Sequence, residues 1–262
     1  MDILQAIFLG LIQGFTEWLP ISSSGHLVVA QALLGIQTPP EFDIIIMIGT
    51  TLALLVYLRN KIISLLLGAV ALKKDALNYI ALIILAGIPT AIIGFAGRVF
   101  FKGLFTQPLT VSLLIVVTGI FLLIASRFAK YDQRLSPSKA ALIGLAQGIA
   151  VAPGISRSGS TIGAGWLLGL NPLEAAEFSF FIGAPAMAVA SIIEYLSING
   201  STLDLNLLLP SLIAGTIAAF ITGYLSIGFL MKILEAKKLY LFGYYCIIAG
   251  ITFAVIIYSL SL

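Results

Sequence analysis

The chain has 262 residues, 60% of them hydrophobic and only 10% charged, with a formal net charge of +3. Soluble domains carry about a quarter charged residues, so a mean hydropathy of +1.12 excludes one and describes an integral membrane protein with almost no aqueous part. The lone cysteine, Cys246, lies in an apolar run, which excludes a disulfide framework or thiolate cluster and reads as a small buried hydrophobe.

Asp2, with no basic residue ahead of the first apolar stretch, argues against a cleaved signal peptide. Two short apolar arms come first, residues 3–18 and 27–35, on either side of a polar loop. Apolar runs follow at 42–58, 79–97 and 108–126, each near the ~20 residues that span hydrocarbon. Between the first two, residues 62–72 are apolar and flanked by Arg59, Lys61, Lys73 and Lys74, the pattern of a helix lying in the cytoplasmic interface. A second pair of arms, 140–152 and 161–170, precedes runs at 174–196, 209–231 and 239–259. Short arms broken by Pro, Gly and Ser suit re-entrant hairpins better than full crossings. The expected fold is an all-α polytopic membrane protein, one domain over residues 1–262, with six transmembrane helices plus two re-entrant helical hairpins.

The plan occurs twice. Gln13-Gly14 matches Gln147-Gly148, and Ile21-Ser22-Ser23-Ser24-Gly25 matches Ile155-Ser156-Arg157-Ser158-Gly159, at one unbroken offset of 134 residues. The repeats are expected at about 1–128 and 135–262, and three crossings per half, an odd number, make them an inverted-topology pair. One side then receives Arg59, Lys61, Lys73, Lys74, Arg127, Lys130, Arg134, Lys139, Lys232, Lys237 and Lys238, the other only Arg98 and Lys102. This positive-inside asymmetry predicts a multi-pass plasma-membrane protein with both termini outside. The hairpin holding His26 enters from the outer face, the one holding Arg157 from the cytoplasm, and the site is expected to be reached from outside.

The polar chemistry concentrates in the two loops. Gln13 and Glu17 are four apart and share a helix face; Pro20 ends that helix, and Ser22, Ser23, Ser24 and Gly25 turn into the next arm. There, unpaired N–H groups favour an anion, and His26, the only histidine, follows within a turn. The second loop offers Ser156, Ser158, Ser160 and Thr161 around Arg157, with no acid, which suits a phosphate. Meeting of the two tips would put Glu17, His26 and Arg157 in one chamber, since charges at membrane depth face a cavity or one another. Blander readings stand beside these: serines as helix caps, Glu17 and Arg157 as a structural ion pair, a structural His26. Glu177 could face the same chamber, whereas Glu194 lies near the outer end of its span.

Two motifs carry a resemblance that runs the length of the chain. Gln13 and Glu17 followed by Leu19-Pro20-Ile21-Ser22-Ser23-Ser24-Gly25-His26 is the first, and Pro153-Gly154-Ile155-Ser156-Arg157-Ser158-Gly159-Ser160-Thr161 the second, with Ala175-Ala176-Glu177-Phe178-Ser179-Phe180 beyond it. The sequence resembles the undecaprenyl-pyrophosphate phosphatase family, known also for bacitracin resistance. The resemblance implies a membrane phosphatase that converts a C55 polyprenyl diphosphate to the monophosphate and inorganic phosphate with a divalent cation, Ca2+ or Mg2+. It implies catalytic roles for Glu17, Ser23, His26 and Arg157, with Glu17 also a metal ligand, and substrate contacts from Gln13, Ser22, Ser24, Ser156, Ser158 and Thr161. Gln13 stands where many members have Glu, and Met47 where several have Gln.

On this reading Ser23 attacks the terminal phosphorus, His26 transfers the proton, and Glu17 orients His26 or binds the cation. Ser22, His26 itself or a water activated by His26 are the other nucleophiles. The expected partners are the polyprenyl diphosphate and membrane lipids, with no nucleic acid and room for a homodimer. A lipid-phosphate flippase or anion transporter with the same inverted repeat is the competing class.

Overall fold

The computed structural model describes residues 1–38, 40–197 and 205–260, and among these all regular structure is helical. The first half contains α1 (Ile3–Glu17), α2 (Ser23–Leu34), α3 (Pro40–Tyr57), α4 (Arg59–Val70), α5 (Lys74–Ala96), α6 (Arg98–Leu104) and α7 (Pro108–Phe128). The second contains α8 (Pro137–Ile149), α9 (Arg157–Leu167), α10 (Pro172–Ser197), α11 (Leu205–Glu235) and α12 (Tyr240–Ser259). A shift of 134 residues lays α1 on α8, α2 on α9, α3 on α10, α5 on α11 and α7 on α12.

Local signals set the helix ends. Asp2 and Gln5 form a capping box on α1, with Gln5 N donating to Asp2 Oδ1 at 2.8 Å and Asp2 N to Gln5 Oε1 at 3.0 Å. Gly35 closes α2 at φ +61°, a left-handed cap that glycine adopts without a Cβ clash. Ser22 and Ser156 cap α2 and α9, their side chains accepting from Gly25 N and Gly159 N.

Among the described residues, five helices are long and apolar enough to cross a membrane, α5, α7, α10, α11 and α12, and α3 with α4 makes a sixth if the bent pair counts as one. The bend is 73°, so α4 turns out of the line of α3 where residues 62–72 were expected to form an interfacial helix. α6 has no counterpart in the sequence reading; seven residues are too few for a periodic signal. The side chain of Glu194 lies outside the described residues.

Packing crosses between the halves. α1 lies against α11 and, at equivalent positions, α8 against α5. Glycine makes both contacts close: a Cβ at Gly10 would come within 2.2 Å of Gly215 O, and one at Gly144 within 2.1 Å of Ala86 O. α7 and α12 pack on one another. Trp18, Trp166, Phe178 and Phe180 fill the centre, with Trp18 edge-on to Phe180 at 5.4 Å. Ile84, Ile88, Ile92 and Phe95 form an exposed apolar row along α5, the surface that hydrocarbon would cover.

Candidate active site

α1 delivers two polar side chains into the interior one turn apart. Gln13 and Glu17 are buried, and Gln13 Nε2 donates to Glu17 Oε2 at 3.0 Å. Pro20 and the turn that follows bring the chain back to Ser22, which takes φ +71° and ψ 91°, a region sparsely populated by residues with a side chain. This conformation directs Ser22 Oγ to Gly25 N at 3.2 Å and Ser22 O to His26 Nδ1 at 2.8 Å. Ser23, the first residue of α2, donates its hydroxyl to Glu17 Oε2 at 2.5 Å. Ser24 Oγ is 3.5 Å from Ser22 Oγ.

The second loop meets the first at this carboxylate. Arg157 opens α9 and donates from Nη2 to Glu17 Oε1 at 2.7 Å, and to Met187 Sδ at 2.8 Å. Its guanidinium carbon lies 4.8 Å from the centre of the Trp18 ring, a cation–π contact in a desolvated setting. Ser158 Oγ donates across to Leu19 O at 2.8 Å, and Ser156 N to Thr118 Oγ1 at 3.1 Å. Gly183 makes room for the arginine: a Cβ there would lie 2.0 Å from Arg157 Nη1. That Nη1 is itself buried without a hydrogen-bond partner in the protein.

Gln13, Ser23 and Arg157 thus converge on the two oxygens of Glu17. His26 does not join them. Its Nδ1 bonds to Ser22 O and its Nε2 to the Tyr245 hydroxyl at 2.9 Å, so Glu17 does not orient it. The correction has a simple cause, since both ring nitrogens of His26 are engaged by Ser22 and Tyr245. Thr161, expected to contact substrate, bonds its hydroxyl to Arg157 O, Ser158 O and Ser179 Oγ, facing α10. Ser156 Oγ accepts from Gly159 N, so it and Ser158 hold the loop in shape. Glu177 is paired with Lys61 of α4 rather than turned to Arg157. Met47 is partly buried, with its Sδ accepting from Ser191 Oγ at 3.6 Å.

Among the described residues no three His, Cys, Asp or Glu side chains gather as a metal site. Hard cations take oxygen ligands, and Mg2+ is commonly held by one or two carboxylates together with phosphate oxygens. Glu17 with the Ser23 hydroxyl fits such a partial set, one that a bound phosphate group would complete.

Trp18, Gly183, Met187, Tyr245 and Phe253, the last packed edge-on against the His26 ring, belong to this site and were not singled out from the sequence. Gly183 repeats Gly49 at the offset of 134, and Trp18 stands inside the first motif, so both left a trace. Tyr245 lies 219 residues from His26 and left none.

Comparison with known proteins covers nearly the whole chain. A family model described as bacitracin resistance protein BacA matches residues 6–252. A relative from Halothermothrix orenii named undecaprenyl-diphosphatase is 41% identical over 256 residues, covering 96% of this chain and 96% of its own. Proteins of the same name from Methanosphaera stadtmanae, 41% identical over 270 residues, and Korarchaeum cryptofilum, 39% identical over 261, cover 96% of this chain and 96% and 98% of their own. With the match running from α1 into α12 and through both loops, the chain belongs to the bacitracin resistance protein BacA family.

Proposed function

We propose that this protein is an integral membrane phosphatase that hydrolyses undecaprenyl diphosphate to the monophosphate and inorganic phosphate, so recycling the lipid carrier of cell-envelope glycan synthesis. Relatives carrying that name align over nearly the full chain. The observation that carries the reading is one carboxylate, Glu17, taking a serine hydroxyl on one oxygen and a guanidinium on the other.

The parts have distinct tasks. Arg157 exchanges Glu17 for the diphosphate oxygens, where its planar fork neutralises charge that grows on the transferred phosphoryl group. Ser23 Oγ attacks the terminal phosphorus, and its proton passes along the 2.5 Å bond to Glu17. The bond from phosphorus to the bridging oxygen breaks, and the lipid monophosphate leaves. Water then attacks the phosphoserine, giving inorganic phosphate and restoring the hydroxyl, with His26 moving a proton in this half of the cycle. A divalent cation, Ca2+ or Mg2+, held by Glu17 and the diphosphate oxygens would add positive charge at the same place. The prenyl chain lies in hydrocarbon beside the helices. We place the repeats in inverted topology, with both termini and the entrance to the site on the outer face.

An anion carrier on the same plan needs Arg157 but gives the Ser23–Glu17 bond no task. Phosphate release from undecaprenyl diphosphate in detergent, where no gradient exists, separates the two, and no release would end the enzymatic reading. His26→Ala is expected to slow release by about 10²–10⁴-fold, the usual contribution of a proton-transfer group. Gly183→Ala places a methyl group 2.0 Å from Arg157 Nη1, so the guanidinium must shift. Misplacement of a positioning group by ~1 Å costs about 10²-fold, and a loss of that order in kcat/KM is expected. A Gly183→Ala rate equal to wild type would show that the guanidinium does not need this position.

A further inference from the structure

His26 is held at both ring nitrogens, and one of the holders comes from the last helix. A carbonyl oxygen only accepts, so the bond from Nδ1 to Ser22 O puts the hydrogen on Nδ1 and leaves Nε2 as the basic atom of the neutral ring. The Tyr245 hydroxyl stands 2.9 Å from that atom, with its ring plane within 9° of the imidazole, and Phe253 packs edge-on at 5.4 Å. A hydroxyl both donates and accepts. The same bond therefore survives a change of charge: Tyr245 donates to the neutral ring and accepts from the protonated one.

We propose that Tyr245 is a positioning residue for His26, one that selects the Nδ1–H tautomer and keeps the ring in place as Nε2 gains and loses a proton. The proposal rests on the phosphatase reading above. A further observation supports it. The repeat does not require the pair: at the offset of 134 residues, His26 corresponds to Ser160 and Tyr245 to Val111. The pair ties α12 to the first turn of α2 and is specific to one of the two loops.

Tyr245→Phe in the full-length protein tests this, because it removes the hydroxyl and keeps the ring. The chain has one histidine, so a 15N-histidine spectrum contains a single imidazole. The expected result is a displaced Nε2 resonance with Nδ1 nearly unmoved. Turnover should fall about 10–100-fold, by analogy with the outer partners that orient metal-bound histidines, with KM little changed. Because Tyr245 acts through His26, adding Tyr245→Phe to His26→Ala should lower the rate no further. An unmoved Nε2 resonance, an unchanged kcat, or additive losses in the double variant would each overturn the proposal. Absence of phosphate release by the wild type would instead sink the enzymatic reading, and the spectrum would still report on the bond.

Discussion

Arg157→Ala is expected to lower kcat/KM for phosphate release by about 10³–10⁵-fold, the range that arginines contribute when they stabilise a transferring phosphoryl group. Two effects combine, and they can be separated. The first is chemical: the guanidinium bonded to the Glu17–Ser23 cluster is gone, and charge growing on the phosphoryl oxygens loses its fork. The second is structural. Glu17, 9% exposed, is left as a buried carboxylate without its cation, and breaking a buried pair by removing one partner costs about 3–5 kcal/mol. Glu17→Gln together with Arg157→Ala removes the orphaned charge, so thermal stability in detergent should recover while activity does not. Arg157→Lys keeps the charge but not the planar fork, and should fall between wild type and alanine. An Arg157→Ala rate within tenfold of wild type would remove the phosphate cradle from the mechanism, whatever its stability.

The division between what the sequence showed and what it hid follows range and direction. The short helix pairs α1–α2 and α8–α9, the long helices and their correspondence between halves come from patterns that repeat along the chain, such as Gly10 with Gly144 and Ser22 with Ser156, and so are readable at a fixed offset. Glu17 and Arg157 were placed together because charges within hydrocarbon need partners, and the structure sets them 2.7 Å apart. The side-chain directions were not readable. A serine beside a histidine suggests a bond between them, yet Ser23 turns to Glu17 and His26 to Tyr245. The reason lies in Ser22: its positive φ rotates the first turn of α2 so that its carbonyl captures Nδ1, and one-dimensional spacing carries no sign of φ. The break between α3 and α4, a bend of 73°, was readable by contrast, because Arg59, Asn60 and Lys61 interrupt the apolar run there. Glu177, which could have faced the chamber, instead pairs with Lys61 at the start of α4, a contact between residues 116 apart that spacing along the chain does not show.

Ser23→Ala is expected to remove turnover almost entirely, by the order of 10⁴–10⁶-fold that loss of a serine nucleophile causes elsewhere. The size of the effect follows from Ser23 carrying the hydroxyl that is bonded to the Glu17 carboxylate. Ser22 is the nearest rival, but its hydroxyl accepts from Gly25 N as the cap of α2, and its backbone is held at φ +71°. Ser22→Ala should therefore act mainly on stability, by about 1 kcal/mol for a lost cap, and much less on rate. Ser23, by contrast, has its hydroxyl aligned on a carboxylate at 2.5 Å, the arrangement of a nucleophile with its base. Acid-quenched enzyme digested and mapped by mass spectrometry should carry phosphate on Ser23, and Glu17→Gln should suppress that adduct because the proton has no acceptor. Phosphate found on His26, which is stable only in alkaline quench, would move the attack to the imidazole and make Ser23 a bystander. No adduct under either quench, together with a Ser23→Ala rate near wild type, would mean that water attacks directly. The bond between Ser23 and Glu17 would then serve only to hold the two loops together.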